Sequence, residues 1–417
     1  MSDQAFLSRR RFTFLPLLLL AVAGPAADWP QFLGPQRNGI SSETGLVDSW
    51  SAGGPKEIWR VKGGVGMSGM AIRDGVVVTL VQRERKQFVM ALNATSGEPI
   101  WQTAVAPEYR NSMGHGPRAT PTISGDRVFV FTGEGILVSL ERKSGKVNWS
   151  RELVRELNGR PAEYGMACSP LVVGRQVVVT VGAPGATVVA CDAESGRQLW
   201  TAGRDAAGYS SPARLAVGGK SQIVVYTGGS VSGLEPGTGR SLWRHPYQTP
   251  YDCNIATPIA IDGRVFISSG ENHGSALLKL TPAGDGFGVR EVWASNGPGS
   301  VLRNEWQTSI LLGGYLYGMD NVGGAGPITH LTCLEAATGK QMWQEARFGK
   351  GNLIAAEGKL FISTMRGELV IVEATPERFH ELARARVFKG SRTGPALARG
   401  RVYLRDDSEI VCLDLRK

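Results

Sequence analysis

Cysteine, histidine and long apolar runs are scarce in this chain, and each scarcity removes a class of function. The 417 residues hold five Cys and five His. Cys168, Cys191, Cys253, Cys333 and Cys412 form no CxxC or CxxCH, so neither a zinc cluster nor a c-type haem attachment is encoded. An odd count leaves at least one thiol outside any intrachain disulfide. His115, His245, His273, His330 and His380 stand at no metal-ligand spacing. GxSxG, HExxH and P-loop motifs are missing, and Gly323-Gly324-Ala325-Gly326 reads as a turn rather than a phosphate cradle. The apolar run at 15–22 is far short of the ~20 residues a spanning helix needs. The formal charge of +9 is diffuse, and Arg83-Glu84-Arg85-Lys86 is a run of only four. Nucleic-acid binding would need a concentrated basic stripe. Helical periodicity is also missing, except at 376–386, which reads as a short helix or an irregular excursion.

Glycine is abundant, with 55 residues, and a repeat explains it. Ser/Thr-Gly-x-x-x-Trp occurs five times, ending on Trp101, Trp149, Trp200, Trp243 and Trp343. Trp59 and Trp293 fall on the same grid without the full motif. Upstream of each Trp, two β-branched runs flank a short turn. These turns are Asp74-Gly75, Gly125-Asp126, Gly174-Arg175, Gly218-Gly219, Asp262-Gly263, Gly313-Gly314, Glu357-Gly358 and Arg399-Gly400. Gly and Asp supply the positive φ of a tight hairpin. A third strand, the Ser/Thr-Gly turn and a fourth strand ending on Trp complete the unit. Four antiparallel strands in roughly 45 residues describe a propeller blade.

The eight turns predict an all-β, eight-bladed propeller occupying 28–417 as one domain. The last unit, 395–415, has only three strands, and Glu57-Ile58-Trp59-Arg60-Val61 is a fourth strand without its first three. The N-terminal strand is therefore expected to close the last blade and remove its open edge. Phe388 is expected in the Trp place of the seventh unit. Trp59, Trp101, Trp149, Trp200, Trp243, Trp293 and Trp343 are expected to dock blade on blade. Cys191, Cys333 and Cys412 take third-strand positions and read as small buried hydrophobes.

The N-terminus reads as an export signal over residues 1–27. Arg9-Arg10-Arg11-Phe12 precedes the apolar run, and cleavage is expected after Ala23 or Ala27. Consecutive Arg ahead of Phe resembles a twin-arginine signal. No Cys lies near the cleavage region, so no lipid anchor is expected. The expected location is the periplasm or cell surface.

The stretch Leu334-Glu335-Ala336-Ala337-Thr338-Gly339-Lys340-Gln341-Met342-Trp343 resembles the pyrroloquinoline-quinone (PQQ) repeat. That repeat builds the eight-bladed propellers of quinoprotein dehydrogenases. It also builds non-catalytic relatives such as the propeller subunit of the bacterial outer-membrane assembly machine. The segment from Asp28 to Gly39 is similar to the start of exported bacterial PQQ-like repeat proteins. For the dehydrogenases the resemblance implies an adjacent-cysteine disulfide over the quinone and a Trp floor. It further implies a calcium held by Glu and Asn, and an Asp base. No two Cys are adjacent here. Asn304, Glu305, Trp306 and Asp320 are the one place combining those residue types. Glu305 and Asp320 are thus the catalytic pair of the alternative reading, with PQQ and calcium as its cofactors. The plainer expectation is a polar loop at 304–305 and a hairpin turn at Asp320-Asn321, with no metal and no cofactor.

If the ring forms, the segments ahead of each first strand converge on one channel mouth. They carry His115, Arg118, Tyr164, Tyr209, Tyr251 and Asp252. Arg303, Asn304, Glu305 and Trp306 follow, then Lys350, Asn352 and Arg392. Positive charge is in excess, among aromatic faces. The expected function is a non-catalytic binding or assembly scaffold in the cell envelope, its partner an envelope protein or polymer. The alternatives are a PQQ-dependent oxidoreductase and a carbohydrate- or polymer-binding propeller.

Overall fold

Two-residue turns set the geometry of each unit. At Asp262-Gly263, φ is 47° and 73°. Such left-handed backbone folds two β-branched runs antiparallel with the twist a sheet requires. The computed structural model describes residues 28–270, 272–323 and 328–417. The expected signal segment, 1–27, lies outside them, as do 324–327 of the glycine-rich turn. Eight sheets follow in chain order. Blades one to six span 71–107, 122–151, 171–202, 213–246, 259–295 and 310–345. Blade seven spans 351–386, and blade eight joins 396–414 to Lys56–Lys62. The eight-bladed all-β propeller is therefore the fold.

Blade-to-blade contact is built around the Trp positions. A register shift beside each Trp, as between Cys333 and Leu334 opposite Trp343 and Gln341, bulges the outer strand there. At five joints the ring then lies over the turn glycine of the next blade, whereas Trp243 packs on Gly233 of its own blade and Trp343 on Phe379. A Cβ on Gly97 would sit 2.7 Å from the Trp59 ring, and one on Gly339 would sit 2.8 Å from Trp293. The indole Nε1 donates onward as well, from Trp101 to Arg142 O at 2.8 Å and from Trp343 to Thr375 O at 2.7 Å. Trp200 and Trp243 instead donate within their own blades, to Gln176 and Gln222.

Phe388 is not in the Trp place of blade seven. Ala383 stands there, opposite Ile371. The reason lies in the closure. Lys56–Lys62 pairs with Glu409–Asp414, with Trp59 opposite Cys412. Blade eight therefore has no turn between its third and fourth strands, and no turn glycine for a blade-seven Trp to cover. The lead-in to the closing strand covers blade seven instead, with Trp50 Nε1 3.4 Å from Arg384 O. Phe388 is buried beside this seam under the Arg60 guanidinium, 5.4 Å away. Likewise 376–386 contains no helix, because Glu381–Arg386 is the fourth strand of blade seven.

Around the central channel, first strands of successive blades are linked through hydroxyls. The Thr120 amide donates to Ser169 Oγ, and the Ser169 amide to Ser211 Oγ, each at 2.9 Å. The Thr257 amide donates to Thr308 Oγ1 at 3.0 Å. At the closing seam a fully buried guanidinium takes over. Arg405 donates to Leu80 O and Gly64 O at 2.5 Å and to Thr79 Oγ1 at 3.1 Å. Burial pulls its pKa down to about 10, still leaving it charged at neutral pH.

The segment 28–48 has a structural role that its sequence did not disclose. Trp29 bridges Ile72 of blade one, and Pro30 O accepts from the Ile123 amide of blade two. Arg37 donates to Ser169 O and Pro170 O ahead of blade three at 2.8 and 3.0 Å. Ile40–Ser41 then pairs in parallel with Ala355 and Ala356 of blade seven. The segment thus crosses the channel axis and fills the end opposite the mouth. It continues to blade eight, where Glu43 accepts from the Arg399 and Gly400 amides.

Three outcomes follow from this packing. Trp343→Ala removes a ring that is only 9% exposed and is packed against Tyr317 and Phe379. Chemical denaturation should show a loss of roughly 3–5 kcal/mol. A loss below about 1 kcal/mol would show that Trp343 docks nothing. Truncation through Lys62 leaves Glu409–Asp414 an open edge. Limited proteolysis should then cut within 392–417, and a truncated protein as resistant and monodisperse as the intact one would refute closure. Cys168, Cys191, Cys333 and Cys412 are buried and Cys253 half-buried, and none forms a disulfide. Burial pushes Cys191 up to about 11 and Cys333 and Cys412 to about 12, so these thiols stay protonated at pH 8. A thiol reagent at pH 8 should titrate one cysteine in the folded protein and five in denaturant.

Candidate functional site

The mouth leads into a cavity of about 230 Å³ on the propeller axis. Trp29, Phe32 and Leu33 of the crossing segment make its floor. Met67, Met70, Leu353 and Ile354 line its sides, and Met113 reaches it from above. Six residues expected at the mouth line it: Arg118, Tyr164, Tyr209, Trp306, Asn352 and Arg392. They converge because each precedes or begins the first strand of a different blade.

Around this opening the aromatic groups of blades three to six, Tyr164, Tyr209, Tyr251 and Trp306, adjoin the cations Lys350, Arg392 and Arg118 of blades seven, eight and two. Tyr164 stacks on Tyr209 with centroids 5.8 Å apart, and the Tyr209 hydroxyl accepts from the Tyr164 amide at 3.2 Å. Burial pushes the Tyr209 phenol well above its ordinary range, so it stays neutral. Tyr251 lies 6.4 Å from Tyr164 and is 62% exposed. Over the Trp306 face sit Lys350 Nζ at 4.8 Å and the Arg392 guanidinium at 5.6 Å. Arg392 donates to Met113 O at 2.6 Å. Arg118 donates to the Tyr164, Gly116 and Gly114 carbonyls and lies 4.6 Å over Tyr109. Burial lowers the Arg118 pKa.

The remaining expected residues do not line the cavity. His115 is exposed, and its Nδ1 accepts from the Asn111 amide. Asp252 is half-buried, and burial raises its pKa, with Asp205 adding to the effect. Lys350 forms an ion pair with Glu305 at 2.8 Å. Arg303 is not at the mouth, because it is buried and holds Asp320 through Nε and Nη2, both at 2.7 Å. Asn304 is buried with it, donating to Met319 O and accepting from Ser309 Oγ. Asp320-Asn321 does not turn a hairpin either, since both lie within the strand Tyr315–Val322.

This arrangement does not fit the calcium of the alternative reading. Calcium needs several convergent oxygens. Both Asp320 oxygens face Arg303, the Asn304 amide is tied into blade six, and Glu305 faces Lys350. Among the described residues no group of three or more His, Cys, Asp or Glu is placed to hold a metal.

The floor and the methionines were missed by sequence reasoning. Met67 and Met70 precede the first turn without belonging to a repeat motif. Trp29, Phe32 and Leu33 carried a usable signal: three large apolar side chains outside any blade pattern require burial somewhere.

Comparison with known proteins places this geometry. A quinohemoprotein alcohol dehydrogenase, ADH IIB of Pseudomonas putida, is 31% identical over 137 residues, covering 30% of this chain and 18% of that protein. The outer membrane protein assembly factor BamB of Moranella endobia (strain PCIT) is 24% identical over 264 residues, 61% of this chain and 64% of that one. The chain thus spans less than two thirds of either relative. In fold it is similar to the quinohemoprotein alcohol dehydrogenase of Comamonas testosteroni, with a TM-score of 0.68 at 15% identity, covering 95% of this chain and 82% of that one. The family model described as outer membrane protein assembly factor BamB matches residues 43–156 and 85–345. The chain therefore belongs to that family of PQQ-like repeat propellers.

Proposed function

We propose that this chain is an exported, non-catalytic propeller that holds an acidic segment of an envelope protein at its channel mouth, as an assembly scaffold. One observation carries the reading. The two carboxylates of the catalytic alternative are held in internal contacts, Asp320 by Arg303 and Glu305 by Lys350. The exposed groups there, Arg392 and Tyr251, are of the kinds that anchor protein partners. Membership of the assembly-factor family supports the same reading, and the Arg9-Arg10-Arg11 signal supports export. Among the described residues no helix is long and apolar enough to cross a membrane. The excess of cations favours an acidic partner, whose association should weaken with added salt.

The test is crosslinking in the native envelope, with identification of what is trapped at the rim. Arg392→Glu with Tyr251→Ala should reduce trapping of the wild-type partner about tenfold or more. The melting temperature should stay within about 2 °C of wild type. Equal trapping by the variant would move the binding surface elsewhere and overturn the mouth assignment. Trapping of a polysaccharide in place of a protein would favour the polymer-binding alternative. Alcohol-dependent dye reduction with added PQQ and calcium would overturn the non-catalytic half of the reading.

A further inference from the structure

The cavity beneath the mouth has a chemistry of its own. Its wall is aromatic and thioether: Trp29 and Phe32 below, Tyr209 and Trp306 at the sides, and Met67 and Met70 between. Such groups prefer flat aromatic rings, through ring–ring and sulfur–ring contact. Among the described residues no Asp or Glu lines it, whereas Arg118 and Arg392 do. Neither arginine forms an ion pair among the described residues, as both face backbone carbonyls instead. A third guanidinium, Arg37, is buried under the floor, again on carbonyls and Gln31. Burial pulls Arg37 down to about 10, which leaves it charged at neutral pH. Cations without carboxylate partners, beside a cup lined largely by apolar side chains, favour an anion.

One wall group is also incomplete. Gln307 lines the cavity, is 5% exposed, and among the described residues makes only a 3.4 Å contact from Nε2 to Met319 O. Its Oε1 is buried and has no hydrogen-bond partner among the described residues. A buried acceptor left unpaired is costly and calls for a donor. The ion-paired Glu305 and the rim residue Lys350 do not line the cup, so the anion site is Arg392 with Arg118.

We propose that the axial cavity binds a small aromatic hydroxy acid. The rings lie among Trp306, Tyr209 and Met70, the carboxylate meets Arg392 and Arg118, and the hydroxyl donates to Gln307 Oε1. At about 230 Å³ the cup is below the ~300 Å³ at which drug-sized pockets begin, so it takes one or two rings. This ligand is distinct from the scaffold partner, since the cup lies beneath the rim where a protein segment would dock, and the two sites share Arg392.

Calorimetry on the purified full-length mature protein tests the assignment with 6-hydroxy-2-naphthoate, 2-naphthoate and 2-naphthol. The hydroxy acid should bind tightest, and 2-naphthol, which lacks the anion, should bind at least about tenfold more weakly. Arg392→Gln should cost the hydroxy acid about tenfold while leaving 2-naphthol and the melting temperature unchanged. Gln307→Met should erase the advantage of 6-hydroxy-2-naphthoate over 2-naphthoate. Absence of binding by all three compounds overturns the proposal, as does equal affinity for acid and naphthol. Tight binding of PQQ without binding of the naphthoates would overturn it in favour of a quinone site. If either variant fails to fold, the three-compound comparison on wild type decides alone. If the wild-type protein traps no partner at its rim in the envelope but binds the naphthoate, the scaffold reading is sunk and this one stands.

Discussion

Five joints of this ring depend on an indole lying over a turn glycine of the next blade. The contact is short enough that a Cβ on Gly97, Gly196 or Gly339 would enter the Trp59, Trp149 or Trp293 ring. Those glycines are also held at φ of 72–75°, where other residues are strained. Ring and glycine therefore specify each other across blades, and a local turn preference becomes a global register. Each such ring also removes apolar surface from water, by roughly 1.5–3 kcal/mol when fully buried. The one blade without a Trp supports this reading: Ala383 stands where no following turn exists to be covered.

Closure replaces that contact with others. Strand Lys56–Lys62 supplies the missing edge, and Arg405 ties blade eight to the Gly64 and Leu80 carbonyls of the next segment. A guanidinium buried without a carboxylate is tolerable because carbonyl dipoles satisfy its N–H groups. Arg37 repeats the device under the channel floor. Both arginines join parts of the chain far apart in sequence. Removal of either would leave buried carbonyls without donors, a cost of roughly 1–3 kcal/mol per group.

The same logic separates function from scaffolding at the mouth. Arg303–Asp320 and Lys350–Glu305 are internal pairs, and they explain why Glu, Asn, Asp and Trp cluster around 303–321. Arg118 and Arg392 face the cavity and pair with no acid among the described residues. A repeat shared by dehydrogenases and assembly factors leaves activity to such local differences.

Periodicity along the chain was enough to determine the blades. The Trp spacing, the eight turns and the orphan strand at Glu57-Ile58-Trp59 specify the ring because turn and strand preferences are local. Cys191, Cys333 and Cys412 were legible as core for the same reason, since strand position decides their burial. The loops ahead of the first strands were legible as a mouth, but not by residue. Arg303 and Arg392 are the same residue type in equivalent loops, yet one is buried on Asp320 and the other exposed. Only the packing of the 303 loop against Asp320 in the strand Tyr315–Val322 decides that. Residues 28–41 carry no repeat, and their course across the axis is set by partners 43 to 315 positions away, from Ile72 to Ala355. The floor, the cavity it closes and the unpaired Gln307 oxygen arise from those non-local contacts, which no local pattern encodes.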